Sequence, residues 1–151
     1  SHKNFTREDF ARLHPAGDLG RRLKLTVKDI MQPFEKVAIV FPNTNLRNVV
    51  IKMTEKPQGA AVVLDEESLL LGIVTEGDLR RSLVQNIDID NSTAEEVMSS
   101  EPITININSI LSEVLTVMEN RESQISVLPV VDDSKCVGLI RIHDIYQSQL
   151  L

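Results

Sequence analysis

Leu46-Arg47-Asn48-Val49-Val50-Ile51-Lys52-Met53 carries apolar residues at i, i+3, i+4 and i+7, and 65 residues further on Leu111-Ser112-Glu113-Val114-Leu115-Thr116-Val117-Met118 carries them again at the same four positions. Each set makes one apolar helix face. Two matched faces at one offset announce an internal repeat, and the flanking segments repeat with them. Upstream stand two β-rich runs, Val37-Ala38-Ile39-Val40 and Ile103-Thr104-Ile105. Before them come two cap signals, Thr26-Val27-Lys28-Asp29 and Ser92-Thr93-Ala94-Glu95, each opening a short helix that ends in Ile30-Met31 or Val97-Met98. Downstream, apolar runs flank a polar turn, as in hairpins: Ala60 to Leu64 and Leu69 to Val74 around Asp65-Glu66-Glu67-Ser68, then Val127 to Val131 and Cys136 to Ile140 around Asp132-Asp133-Ser134-Lys135. A closing helix is predicted over 78–83 in the first copy and 144–150 in the second. The unit is β-α-β-β-α, an α+β fold, with one copy over 26–84 and the other over 92–151. A single copy leaves one sheet face uncovered, so the two are expected to pack as a pseudo-two-fold pair.

Ahead of the repeats, Thr6 with Asp9 three residues on, flanked by Phe5 and Phe10, reads as a capped and stapled helix. The pattern breaks at His14-Pro15-Ala16-Gly17, and Asp18-Leu19-Gly20-Arg21-Arg22-Leu23 continues as a connector, which sets residues 1–25 apart. Ser1-His2 reads as a tag remnant, so a larger parent protein is expected. The 151 residues, 42% of them hydrophobic, suffice for a compact core. With 22 acidic against 16 basic residues the net charge is -6, the wrong sign for a phosphate-backbone footprint, and no nucleic-acid partner is expected. No apolar run approaches the roughly 20 residues of a membrane span, and a cytoplasmic protein is expected. The single Cys136 lies in an apolar run and reads as core, as do Met31, Met53, Met98 and Met118. His2, His14 and His143 lack metal-ligand spacing, so no metal site is expected.

Gly72-Ile73-Val74-Thr75-Glu76-Gly77-Asp78-Leu79, Gly138-Leu139-Ile140-Arg141-Ile142-His143-Asp144-Ile145 and Leu128-Pro129-Val130-Val131-Asp132 resemble the repeat of the cystathionine-β-synthase (CBS) domain family. The resemblance covers 26–150 and implies a regulatory pair that binds a nucleotide, often adenine-based, between its two copies. The flank Phe5 to Leu23, with Thr75-Glu76-Gly77-Asp78-Leu79-Arg80-Arg81, is similar to the connector and motif of arabinose 5-phosphate isomerases, with Ala16-Gly17 where that family has Gly-Gly. That likeness implies an N-terminal sugar-isomerase domain in the parent, which interconverts ribulose 5-phosphate and arabinose 5-phosphate for lipopolysaccharide synthesis. On that likeness no catalytic residues are expected in this chain.

The resemblance also implies a composite site, in which Thr75 and Asp78 face Ile103, Ser126 and Val127, and Arg141 and Asp144 face Ala38, Gly59 and Ala60. The chemistry suits a nucleotide. A threonine hydroxyl and unpaired first-turn N–H groups fit a phosphate, and an acceptor-only carboxylate fits a ribose diol. Arg141 stands where the first copy has Thr75; its fork of donors can hold a phosphate but changes the geometry, which places the Asp78 half ahead of the Asp144 half. Arg80 and Arg81 stand where they can assist an anion or can simply be solvated. Against all this, Thr75-x-x-Asp78 is also a plain N-cap with an acidic residue at its third helical position, although Asp144 recurs without a capping threonine.

Two functions follow from the pattern. The first is a regulatory module for an adenine nucleotide or a cytidine monophosphate sugar, with no cofactor for chemistry; the pathway's activated sugar, the cytidine monophosphate ester of 3-deoxy-manno-octulosonate, is a candidate feedback ligand. The second is a ligand-free dimerisation device, and a homodimer or higher homo-oligomer is expected either way. A CBS pair from another enzyme or a transporter is a third reading.

Overall fold

A computed structural model describes residues 25–119 and 125–150. The helix expected at Thr6 and the connector to Leu23 lie outside them. The first repeat runs α1 (Val27–Ile30), β1 (Gln32–Pro33), a 3-10 turn (Phe34–Lys36), β2 (Ala38–Val40), α2 (Leu46–Glu55), β3 (Ala60–Leu64), β4 (Leu70–Thr75) and α3 (Glu76–Val84). The second runs α4 (Ala94–Val97), β5 (Ser99–Ser100), β6 (Ile105–Asn106), α5 (Leu111–Glu119), β7 (Val127–Asp132), β8 (Lys135–Arg141) and α6 (Ile142–Leu150). The fold is α+β, with the β-α-β-β-α unit present twice.

Each copy builds a four-stranded sheet, in the orders β2-β3-β4-β5 and β6-β7-β8-β1. The hairpins are antiparallel, and the first long strand of each runs parallel to β2 or β6. The fourth strand of each sheet belongs to the other repeat: Ser99 and Ser100 pair with Ile73 and Gly72, and Gln32 and Pro33 with Leu139 and Gly138. The short helices cross over as well. Val27 is buried with Leu111, Val114, Met118, Leu128 and Ile140, whereas Ala94 is buried with Leu46, Val49, Met53, Val63 and Val74. The repeat as written in sequence is therefore not the packing unit, because each copy lends its opening helix and first strand to the other.

The glycines of the two motifs make this exchange sterically feasible. A Cβ on Gly72 would stand 2.5 Å from the sulfur of Met98 and 2.8 Å from the Ser99 carbonyl oxygen, and one on Gly138 would collide with the Gln32 carbonyl oxygen. Only a residue without a side chain lets the borrowed strand cross so close. Between the sheets lies a shared core of Val37, Ala60, Val62, Leu64 and Ile73 from one side and Val127, Cys136 and Leu139 from the other. With both faces covered, β3 is buried at every position, which explains its unbroken apolar run. Leu69 and Lys135 stand three residues before Gly72 and Gly138, and they bridge to each other, as equivalent residues beside a two-fold axis do. Cys136 is buried in the shared core, and that burial pushes its thiol above the usual range.

Three local expectations need correction. Val50 is 43% exposed while Leu46, Val49 and Met53 are buried, because the i+4 position falls at the margin of a stripe centred on the other three. In the second copy Thr93, not Ser92, stands at the N-cap position of α4, without a side-chain capping bond, and the buried Ser92 instead offers its carbonyl to the N–H of Leu46. The strand expected over 103–105 begins only at Ile105.

Candidate functional site

Thr75 leaves β4 in an extended conformation and caps α3. Its hydroxyl accepts from the Asp78 N–H at 3.2 Å, and Asp78 Oδ2 accepts from the Thr75 N–H at 2.9 Å and its hydroxyl at 3.1 Å, so the reciprocal cap is real. Asp78 Oδ1 takes one further bond, from Arg81 Nη2 at 2.5 Å. The Asp78 side chain is 10% exposed and that of Arg81 68%, so the arginine covers the carboxylate from the solvent side.

The equivalent turn in the second repeat is built differently. Arg141, at the end of β8, grips Asp144 with both arms of its fork, Nε to Oδ2 at 2.9 Å and Nη2 to Oδ1 at 2.6 Å. Gln32, on the borrowed strand β1, adds a bond from Nε2 to Oδ1 at 3.2 Å. Partial burial of the Asp144 carboxyl favours its neutral form, but the Arg141 fork and charge, with the Gln32 amide, outweigh this and hold it below the usual carboxylate range. Arg141 is correspondingly held above its ordinary value by the hydrogen bond to Asp144.

Both turns open on one cleft of about 900 Å³, walled by the two repeats. The N-terminal turns of α3 and α6 both border it, through Glu76 and Gly77 on one side and Ile142 and His143 on the other. Several first-turn N–H groups are already taken, that of Glu76 by the Gly59 carbonyl, that of Asp78 by the Thr75 hydroxyl and that of Ile142 by the Ser126 carbonyl, but the helix dipole still favours negative charge at that end. Arg80, Arg81 and Arg141 line the same space. Arg81 Nη1 and Arg80 Nη2 lie 3.4 and 3.8 Å from where a Cβ on Gly77 would stand, so both guanidinium groups fold back over the start of α3.

Of the residues singled out in the sequence, Thr75, Asp78, Gly59, Ser126, Val127 and Arg141 all border this cleft. Ala38, Ala60, Ile103 and Asp144 do not. Ala38 and Ala60 are buried in the cores, Ile103 packs against the core of the second repeat, and Asp144 sits behind Arg141. The sequence reading did not pick out Gln58 and Ser99, which also border the cleft. Ser99 comes with the exchanged strand β5, and its Ser-Ser sequence carries no β signal. Gln58 precedes Gly59, whose φ of 83° marks a turn, and Gly59 was the one available signal. Among the described residues no cluster of His, Cys, Asp and Glu could hold a metal ion, and no helix is long and apolar enough to cross a membrane.

Two exchanged α+β halves closing on one cleft define a tandem pair of CBS domains. The CBS domain model matches residues 27–85 and 94–150, and the chain belongs to that family. It is 41% identical over 150 residues to the arabinose 5-phosphate isomerase KdsD of Pseudomonas aeruginosa, a match covering 99% of this chain and 45% of the relative. With the protein of the same name from Yersinia pestis it shares 36% over 146 residues, 97% of this chain and 44% of the relative. The chain thus spans less than half the length of these relatives. Among solved structures, the CBS domain pair of protein MJ0100 in complex with 5′-methylthioadenosine and S-adenosyl-L-methionine superimposes with a TM-score of 0.72 at 27% identity, over 82% of this chain and 94% of that one.

Proposed function

We propose that this CBS pair is the regulatory module of an arabinose 5-phosphate isomerase, and that it senses a nucleotide or nucleotide-sugar bound in the cleft beside Thr75 and Asp78. On this reading residues 1–25 hold a tag remnant, a helix and the connector from a sugar-isomerase domain, which holds the catalytic residues. The two repeats, 26–84 and 92–151, then pass ligand occupancy to that domain. The carrying observation is local charge. In a chain with a net charge of -6, three arginines and two helix N-termini converge on one cleft, and carboxylates able to accept from hydroxyls stand beside them at Asp78 and Glu76. An anion with a diol attached fits that combination, and a phosphorylated nucleoside is such a ligand. Likeness to a CBS pair in complex with adenosine derivatives supports the class of ligand, and likeness to the isomerases supports the parent.

A second reading, a structural dimerisation device, is favoured by a different observation. Val50 and Ile51 on α2, with Leu83 and Val84 on α3, are 43 to 80% exposed. Thermal unfolding separates the two readings when it is run with AMP, S-adenosylmethionine, CMP and the cytidine monophosphate ester of 3-deoxy-manno-octulosonate. A ligand at a hundred times its dissociation constant adds about 2.7 kcal/mol of stability. The sensing reading expects at least one member of the panel to raise the midpoint. It fails if none does at millimolar concentration.

A further inference from the structure

We infer that Arg141 closes the second half of the cleft from within, so that each chain takes one nucleotide, at the Thr75–Asp78 half. The inference rests on the reading of the cleft as a nucleotide site and adds to it the stoichiometry and the residue that sets it. The two turns are equivalent in backbone. The Glu76 N–H donates to the Gly59 carbonyl at 3.3 Å, as the Ile142 N–H does to that of Ser126 at 2.8 Å. Nor does burial distinguish their carboxylates, which are 10% and 11% exposed. Their partners do.

A bound diol needs a carboxylate oxygen that can be released to it. At Asp78 the covering group is one arm of Arg81, a side chain 68% exposed, which can turn to a phosphate without leaving the carboxylate unpaired, because the Thr75 N–H and hydroxyl remain. At Asp144 both oxygens are held by the Arg141 fork, and Oδ1 is held by Gln32 as well. Arg141 is only 27% exposed, and withdrawing its fork would strip a charge-assisted bond from both oxygens of a mostly buried carboxylate, leaving it the Gln32 amide and the Arg141 backbone N–H. The cleft records the result. Asp78 borders it, whereas on the other side Arg141 borders it and Asp144 does not. The second half therefore presents spare guanidinium donors and no carboxylate for a ribose diol.

The test is the number of AMP molecules bound per chain, read by titration calorimetry with CMP as a second probe. The wild-type chain is expected to take one. Arg141→Thr, which gives the second turn the capping residue of the first, is expected to take two, and adding Asp144→Asn to that variant should return the number to one. Circular dichroism confirms that each variant is folded. If Arg141→Thr does not fold, Arg141→Gln, which keeps one amide donor but no fork, is expected to show a second and weaker equivalent. Two equivalents on the wild-type chain, or a single one on every folded Arg141 variant, would overturn the inference while leaving the cleft a nucleotide site. Failure of the wild-type chain to bind these two probes or either other member of the thermal-unfolding panel would instead remove the nucleotide reading, and this inference with it.

Discussion

Thr75-Glu76-Gly77-Asp78 and Arg141-Ile142-His143-Asp144 stand at the same place in the two sheets, and they secure their aspartates by opposite means. In the first, the backbone and hydroxyl of the cap hold one oxygen, and a solvent-exposed arginine from the next helical turn covers the other. In the second, an arginine at the cap position itself seizes both oxygens, with a glutamine from the exchanged strand as a third hand. The β-bulges after Val63 and Val130 repeat, and so does the close crossing at Gly72 and Gly138. Duplication has thus kept the backbone, which the sheets demand, while the side chains at the cleft have parted. One turn keeps an acceptor that a ligand can reach; in the other, the acceptor serves the fold.

The largest expected effect strikes the crossing that supports the second turn. Gly138→Ala drives a Cβ into the Gln32 carbonyl and should cost about 1 to 3 kcal/mol or more, since a backbone strand must shift and the Gln32 bond to Asp144 goes with it. Gly72→Ala meets a flexible methionine sulfur as well as backbone and should cost less. Paired urea titrations measure the difference.

Next comes the comparison of the arginines themselves. Arg141→Ala strands a carboxylate that is 11% exposed and should cost about 1 to 3 kcal/mol, less than a fully buried pair because the guanidinium is partly solvated. Arg81→Ala, at a side chain 68% exposed, should cost below about 1 kcal/mol. Equal losses would dissolve the contrast between the turns.

The pH dependence sharpens it further. Asp144 ionises below its ordinary value of 3.8 in the folded chain, so its contribution is complete above that pH and is lost as pH falls through the folded value, where the unfolded chain has already taken up its proton. Asp144→Asn should therefore flatten the acid limb of the stability curve below about pH 4 and leave its neutral region parallel to wild type. At the cap a modest effect is expected. Thr75→Ala should cost about 1 kcal/mol, as the loss of a side-chain N-cap usually does.

The pattern that was legible in the sequence is the part governed by periodicity. Matched helix faces and hairpins placed α2, α5, β3, β4, β7 and β8 closely, because long buried segments must repeat apolar residues at the spacing of their structure. The exchange of α1 with β1 and of α4 with β5 left no such trace. Gln32-Pro33 and Ser99-Ser100 are strands only by virtue of the edges they meet, and two residues are too few to carry a period. Gly72 and Gly138 did hint at a close approach, though not at what approaches. In the cleft, Thr75, Asp78 and Arg141 were readable as residue types suited to a nucleotide. That Arg141 would be spent on Asp144 was not, since an arginine three residues from an aspartate can reach either the carboxylate or a ligand, and only the fold decides.

The central claim is that Asp78 serves a ligand as well as its helix. Asp78→Asn tests it most directly, because asparagine keeps a carbonyl for the Thr75 N–H but loses the charge that strengthens acceptance from a diol. Charge-assisted bonds are worth about 1.5 to 3 kcal/mol, so calorimetric affinity for whichever nucleotide binds the parent chain should fall roughly 10- to 150-fold. The urea midpoint should move little, because the cap survives and the Arg81 side of the ion pair is exposed. A mutant that loses stability while its affinity stays unchanged would show that Asp78 does no more than cap α3, and would contradict the account.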